Sequence, residues 1–263
     1  MGLMEVYHRY NTELADERTN DWLLISSPVP LTILSIIYLY FILYYGPIYM
    51  KDKKPYSFKT FIYWYNIFQI VTNFMVVQQA LATGWYEDGF MYCTKLDYSY
   101  DYKPYKMTKI LWYIFCLKVI DYIETILYVL RKKYRQISVL HVYHHISTAY
   151  IVWAVVKYYP NGYSMTFAMV NCTVHVIMYT YYLLSSFRGV VQKIVQPIKP
   201  IITMVQMIQF VGLITYGLQA FKPGCSGSSL AATIMITNLS VNLTLFANFY
   251  RQNYLKKNKK SID

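Results

Sequence analysis

The chain has 263 residues, of which 56% are hydrophobic, 19% are aromatic and only 14% are charged. Soluble domains carry about 25% charged residues, and so small a charged fraction cannot cover a water-facing surface. The composition therefore excludes a soluble enzyme, a disordered chain and a disulfide-rich secreted module, and it predicts an integral membrane protein. The net charge of +12 does not indicate nucleic-acid binding, because the basic residues form short clusters between apolar runs and no basic face.

Seven apolar runs are each long enough, at about 20 residues, to cross a bilayer as a helix. They cover residues 28–50, 60–83, 110–130, 137–156, 165–184, 200–220 and 229–250. We therefore predict an all-α integral membrane protein with seven transmembrane helices. It divides into an N-terminal segment (1–27), a seven-helix transmembrane domain (28–250) and a basic tail (251–263).

The distribution of positive charge predicts the orientation of these spans. The connectors on one side hold 16 of the 25 Lys and Arg residues and two acidic residues. Those on the other side hold 8 Lys and Arg residues and nine acidic residues. Because cytosolic loops carry an excess of Lys and Arg, we expect a cytosolic C-terminus and an N-terminus outside or in a lumen. Cys93 and Cys225 then both fall in non-cytosolic loops, where a disulfide between them can persist.

Polar side chains recur at helical spacing inside four of the predicted spans, where each costs free energy and is a functional candidate. Steps of three and four place them on one face of each helix. They are Lys118, Asp121, Glu124 and Thr125 in the third span, His141, His144 and His145 in the fourth, Asn171, His175, Met178, Tyr179 and Tyr182 in the fifth, and Thr203, Gln206 and Gln209 in the sixth. All four stripes can be satisfied by facing one another, which predicts a polar centre inside the bundle.

Four His residues on two adjacent spans are more than helix packing requires. The five His residues of the chain are too few for a His-ligated di-iron oxygenase, but a mononuclear metal site with His141, His144, His145 and His175 stays open. A receptor or channel with seven helices is a second alternative. The third, which we favour, is group transfer by a neutral imidazole acting as base or nucleophile on a long acyl chain. The basic cytosolic rim would suit an anionic carrier such as coenzyme A.

The order of these motifs resembles that of the fatty-acid elongases of the endoplasmic reticulum, over nearly the whole chain from about Trp22. The resemblance is carried by Gln136-Ile-Ser-Val-Leu-His141-Val-Tyr-His144-His145, by Asn171-Cys-Thr-Val-His175-Val-Ile-Met178-Tyr179-Thr-Tyr181-Tyr182 and by Thr203-Met-Val-Gln206-Met-Ile-Gln209. Two features depart from the family pattern. Asp121 and Glu124 exchange the usual order of Glu and Asp, and Val139 replaces an aromatic residue often found there.

The resemblance implies a seven-helix protein of the endoplasmic reticulum membrane, in which six helices enclose an acyl tunnel and the first packs outside. It implies condensation of a long-chain acyl-CoA with malonyl-CoA to a 3-oxoacyl-CoA two carbons longer, with loss of carbon dioxide and coenzyme A. It implies no cofactor beyond these substrates and no metal. The implied partners are membrane lipid, a second copy in a homodimer, and separate ketoacyl reductase, dehydratase and enoyl reductase. A disulfide between Cys93 and Cys225 agrees with this fold.

Within this reaction we predict that His144 attacks the acyl thioester to form an acyl-imidazole. His175 would face it, and His141 and His145 would set the tautomer or move protons. Substrate binding or site organisation is predicted for Lys118, Asp121, Glu124, Gln136, Asn171, Tyr179, Tyr182, Thr203, Gln206 and Gln209. The rival mechanism is direct condensation in a ternary complex, with His acting only as a base.

Overall fold

The computed structural model of the chain describes residues 2–89, 96–187, 189–223, 225 and 228–255, and all regular structure within these ranges is helical. The long helices are α1 (Pro28–Tyr40), α2 (Lys59–Leu81), α3 (Tyr102–Ile120), α4 (Tyr122–Leu130), α5 (Val139–Tyr158), α6 (Gly162–Ser186), α7 (Lys199–Gly217) and α8 (Ser229–Tyr250). A π-helical turn (Phe41–Tyr45) continues α1 into Gly46–Met50. Shorter helical segments are Leu3–His8, Arg9–Glu13, Glu17–Thr19, Trp85–Gly89, Tyr134–Gln136, Val190–Val195, Gln196–Ile198, Leu218–Phe221 and Arg251–Leu255.

Five segments of the described chain are long and apolar enough to cross a membrane. They are Pro28–Met50, Val139–Tyr158, Gly162–Ser186, Val190–Phe221 and Ser229–Leu255. The predicted spans 60–83 and 110–130 are also helical but are not among the five. Their composition explains this, because α2 carries Asn66, Gln69 and Asn73 toward the interior and the third predicted span contains Lys118 and Asp121, all of them buried.

Polar residues set the first turns of four helices. The side chains of Ser27, Ser138, Asn161 and Ser228 each accept a hydrogen bond from a backbone N–H at the start of α1, α5, α6 and α8. Such caps satisfy backbone donors that have no partner within the helix. The predicted span 110–130 is two helices, since α3 already begins at Tyr102 and Asp121 separates it from α4.

The long helices pack side by side as a closed ring in the order α2, α6, α7, α8, α5 and α3, with α3 contacting α2 again. The Gly46–Met50 segment that ends the first span packs on α4 from outside this ring. A Cβ atom at Gly46 would lie 2.6 Å from Cγ1 of Val129 on α4, so this close approach requires glycine. Six helices therefore surround one interior, and α1 lies outside it.

The N-terminal segment is anchored to one end of the ring. The buried Arg18 guanidinium donates to the Asp16 carboxylate and, at 3.0 Å, to Oγ1 of Thr108 on α3. At the end of α5, Nζ of Lys157 donates to Oδ1 of Asn20 at 2.9 Å. These contacts connect the chain before α1 to two helices of the ring.

The cysteines divide between interior and loop positions. Cys116 and Cys172 lie within α3 and α6 and are free thiols. Cys225 is disulfide-bonded, and Cys93, its expected partner, lies outside the described residues, as do the lysines of the tail from residue 256 onward.

Candidate active site

Lys118, near the end of α3, lies in the polar interior of the ring. Its Nζ donates to Oδ1 of Asn171 at 2.7 Å and lies 3.4 Å from Nε2 of His175, both on α6. The Asp121 carboxylate is 3.7 Å away, and the two charged side chains are only 5% and 3% exposed. The polar stripes of the third and fifth predicted spans therefore meet around a buried ion pair that makes further hydrogen bonds.

The Asp121 carboxylate accepts hydrogen bonds from two further helices. Nε2 of Gln69 on α2 donates to Oδ1 at 2.8 Å, and the Tyr179 hydroxyl on α6 donates to the same oxygen at 3.2 Å. Gln69 was not among the predicted site residues, although Asn66, Gln69 and Asn73 form a polar stripe at steps of three and four that could have identified it. Asp121, at the break between α3 and α4, thus connects three helices.

His141 is oriented by a relay that starts on α1. The Tyr38 hydroxyl donates to Oγ1 of Thr125 at 2.8 Å, and Oγ1 lies 2.8 Å from Nε2 of His141. A hydroxyl can accept and donate at the same time, so Thr125 can accept from Tyr38 and donate its own proton to Nε2. The helix outside the ring therefore contributes to the hydrogen bonding of the His cluster.

Glu124, His141 and His145 form the group within the described residues that could hold a metal ion. One ligand atom from each lies within 4.8 Å of the others. The His141 and His145 ring centroids are 4.2 Å apart, and Nε2 of His145 is 3.9 Å from the Glu124 carboxylate. Two imidazoles and a carboxylate suit zinc or iron. His144 and His175 do not belong to this group.

His144 faces a different environment. Its Nδ1 lies 3.1 Å from Oδ1 of Asn242 on α8, and its ring packs near Phe210 and Phe246, with centroids 6.4 and 6.0 Å away. No hydrogen bond joins Nε2 of His144 to any residue that the structure describes. Asn242 is fully buried and, with Asn238 one turn earlier, was missed among the predicted residues. The spacing of four between these two Asn in an apolar span was the available signal.

A cavity lies between α3, α5, α6, α7 and α8, with about 660 Å³ of empty space including its open mouth. Lys118, His144, Asn171 and Asn242 form a polar region of its wall, and the wall beyond them is mainly apolar. Along α5 the cavity reaches from His144 to Val155, which corresponds to about 16 Å at about 1.5 Å per residue.

Two further predicted residues lie next to this centre. Gln209 on α7 lines the cavity and is 8% exposed. Tyr182 packs its ring against Tyr179 with centroids 5.8 Å apart.

Three predicted residues lie elsewhere. Gln136 is exposed in the Tyr134–Gln136 turn before α5. Oγ1 of Thr203 lies 3.4 Å from the Tyr254 hydroxyl near the end of the described chain. Nε2 of Gln206 donates to Sδ of Met178 at 3.2 Å, which joins α7 to α6. Among the described residues, no hydrogen bond joins any of these three to a His side chain.

Comparisons with known proteins bear on the identity of this bundle. The family model described as ELO, the GNS1/SUR4 family, matches residues 23–262. The chain is 33% identical over 249 residues to very long chain fatty acid elongase 4 of Mus musculus, covering 94% of this chain and 79% of the mouse protein. It is 33% identical over 247 residues to very long chain fatty acid elongase 7 of Drosophila melanogaster, covering 94% and 75%.

Very long chain fatty acid elongase 1 of Mus musculus is 32% identical over 257 residues, which is 97% of this chain and 91% of the mouse protein. The family match and these relatives extend over almost the entire ring and its polar centre. The chain therefore belongs to the ELO (GNS1/SUR4) family, and its membrane-type helical bundle is that of a protein of very-long-chain fatty-acid elongation.

Proposed function

We propose that this protein is the condensing enzyme of fatty-acid elongation, an acyltransferase that joins a long-chain acyl-CoA to malonyl-CoA. The products are a 3-oxoacyl-CoA two carbons longer, carbon dioxide and coenzyme A. The observation that carries the proposal is the mainly apolar cavity with His144 in its wall, near Lys118 and Asn171. An apolar cavity suits an acyl chain, and a reactive imidazole beside it can meet the thioester of that chain.

In the proposed reaction, Nε2 of His144 attacks the thioester carbonyl carbon of the acyl-CoA. The carbon–sulfur bond breaks, and the CoA thiolate takes up a proton from solvent as it leaves, while the acylated imidazole keeps the hydrogen on its other ring nitrogen. Malonyl-CoA then loses its free carboxylate as carbon dioxide, and the carbon left with the electron pair attacks the acyl-imidazole. The new carbon–carbon bond forms as the bond to Nε2 breaks, which returns His144 to its starting state.

The choice of His144 over His175 rests on their hydrogen bonds. Nε2 of His175 lies against the Lys118 ammonium at 3.4 Å, so its lone pair faces a donor. Nε2 of His144 has no such partner among the described residues, and His144 lines the cavity. His144 is thus the imidazole available for attack, and His175 helps to hold Lys118.

Asn171 is suited to polarise the substrate carbonyl. Its Oδ1 accepts from Lys118 at 2.7 Å, which leaves the two Nδ2 hydrogens as donors at the cavity wall. Donors held in place by a buried network stabilise a developing oxyanion without reorganisation. We assign this role to Asn171, with Lys118 and Asp121 holding its orientation.

The proposal extends to the setting of the enzyme. It includes seven membrane-crossing helices, with α2 and the α3–α4 pair added to the five apolar segments, and a ring that encloses the acyl tunnel. It places the protein in the endoplasmic reticulum membrane with its C-terminus cytosolic, where basic connectors would meet coenzyme A. The substrates suffice without a resident cofactor, and reductases and a dehydratase would complete the cycle on the product.

The test is condensation by the purified protein with a long-chain acyl-CoA and malonyl-CoA labelled at carbon 2. We expect a labelled 3-oxoacyl-CoA two carbons longer, no product from His144→Ala, and normal product from His8→Ala, which changes an exposed imidazole in the N-terminal segment. Normal turnover by His144→Ala would overturn the assignment of the nucleophile. Absence of any two-carbon extension by the wild type would overturn the proposed reaction.

One observation favours a second candidate function. The proximity of Glu124, His141 and His145 would allow a metal-dependent lipid-modifying enzyme in which these side chains are ligands. This alternative uses the imidazoles that the condensation mechanism assigns to proton movement, so metal analysis of the purified protein separates the two.

A further inference from the structure

His144 is held through its Nδ1 by side-chain amides on α8. Oδ1 of Asn242 lies 3.1 Å from Nδ1. The amide of Asn242 is itself held, because its Nδ2 donates to the Asn238 backbone oxygen at 2.9 Å and to the Asn238 side-chain oxygen at 3.3 Å. The Tyr143 hydroxyl donates to that side-chain oxygen at 3.0 Å.

These contacts define which atom of Asn242 faces the imidazole. Both Asn238 atoms that contact Nδ2 are acceptors, so the NH₂ group must point to Asn238 and Oδ1 must point to His144. An amide oxygen can only accept a hydrogen bond, so the hydrogen between the two residues belongs to Nδ1 of the imidazole. The remaining ring nitrogen, Nε2, then carries the lone pair.

We propose that Asn242, oriented by Asn238, is a positioning residue that holds His144 in the tautomer with hydrogen on Nδ1. This tautomer presents the Nε2 lone pair beside the cavity, where the thioester is to bind. The inference rests on the proposed function in taking His144 as the nucleophile. It adds that a residue on α8, outside the His motif, makes Nε2 of His144 nucleophilic by fixing the tautomer of the ring.

The burial of these residues agrees with an orienting role. Asn242 is 0% exposed and Asn238 is 9% exposed, although both lie in an apolar helix. A buried amide costs free energy unless its polar atoms are paired, and here three contacts between the two residues and His144 pair them. Helix packing between α5 and α8 is the competing explanation, and it predicts no dependence of the tautomer on Asn242.

The first measurement is nitrogen NMR of the full-length protein with ¹⁵N-labelled histidine, using His144→Ala to assign the signal. We expect the His144 signal of the Nδ1–H tautomer in the wild type, and loss of that single state in Asn242→Leu, which keeps the branching and heavy-atom count of the side chain but has no acceptor. An Nε2–H signal in the wild type, or an unchanged signal in Asn242→Leu, would overturn the inference.

The second measurement is the rate of coenzyme A release from a long-chain acyl-CoA alone. We expect Asn242→Leu to lower the maximal rate about tenfold or more, with little change in the acyl-CoA concentration at half-maximal rate. Asn242→Asp keeps an oxygen that accepts from Nδ1 and should retain more activity than Asn242→Leu. Ser240→Ala is the matched control, because Ser240 is exposed on the same helix and its hydroxyl donates to the Ile236 backbone oxygen.

The outcomes separate this inference from the proposed function. Wild-type coenzyme A release with equal rates in Asn242→Leu leaves the acyl-imidazole route intact and refutes the positioning role. No release by the wild type refutes the covalent route, and the NMR signal still decides the tautomer. If Asn242→Leu fails to fold, Tyr143→Phe removes only the hydroxyl that holds Asn238 and is expected to broaden or split the His144 signal. An unchanged His144 signal in Tyr143→Phe would count against the orientation of Asn242 by Asn238.

Discussion

Removing the charge of Lys118, of Asp121 or of both tests whether the buried ion pair between them organises the site. We consider Lys118→Met and Asp121→Asn, alone and together. At 3.7 Å and an effective dielectric constant of about 20, the attraction between the two charges is about 4 kcal/mol. Removing one partner leaves the other charge buried, so each single variant is expected to lower the free energy of unfolding by about 3–5 kcal/mol.

The double variant leaves no isolated charge, and Asn at position 121 can still accept from Gln69 and Tyr179. We therefore expect it to cost less than the sum of the two single variants, by up to about 4 kcal/mol. Lys109→Met is the matched control, because Lys109 is an exposed cation on the same helix and its loss should cost less than about 1 kcal/mol.

The assay is reversible unfolding in mixed micelles, followed by fluorescence of the five Trp residues. Additive effects of the two substitutions, within about 0.5 kcal/mol, would refute the reasoning, because independent residues give additive changes. Equal losses in Lys118→Met and Lys109→Met would refute it as well.

Three further outcomes follow from the geometry. Asn171→Ala should lower kcat for condensation by about 10²- to 10³-fold, as expected for a lost oxyanion donor, and an unchanged kcat would remove Asn171 from that role. Gly46→Val should lower the free energy of unfolding by about 1–3 kcal/mol, because the added side chain meets Val129 on α4, and equal stability in the same micelle assay would contradict that contact. Dialysis against a strong chelator should leave condensation intact. Loss of turnover that zinc or iron restores, together with metal content that falls in Glu124→Gln, would favour the metal-dependent alternative.

The positions of the helices were largely predictable from apolar length, and their ends were less so. The last predicted span, 229–250, coincides with α8. The start of α3 was misplaced, since its first turns contain Lys103, Lys106 and Lys109 and are helical without being apolar. Apolarity marks the part of a helix that is buried in protein or lipid, so it cannot mark a helix end that extends into a polar environment.

Spacing along one helix predicted part of the candidate site because it defines a face. Lys118, Asn171 and His175 were predicted in this way, and the structure brings them into contact. Contacts such as Gln69 with Asp121 and His144 with Asn242 depend on the order and rotation of helices in the ring. No local spacing encodes these two quantities, since they follow from packing between segments far apart in the chain.

The central claim is that His144 takes up the acyl group of a thioester inside the helical ring. The most direct measurement is the intact mass of the protein after incubation with a long-chain acyl-CoA alone, followed by peptide mapping at a pH that preserves acyl-imidazoles. The account predicts a mass increase of one acyl group, matching release of one coenzyme A per chain, on the peptide that carries His144. An unchanged mass without coenzyme A release, or an acyl group on a peptide that lacks His144, would contradict it.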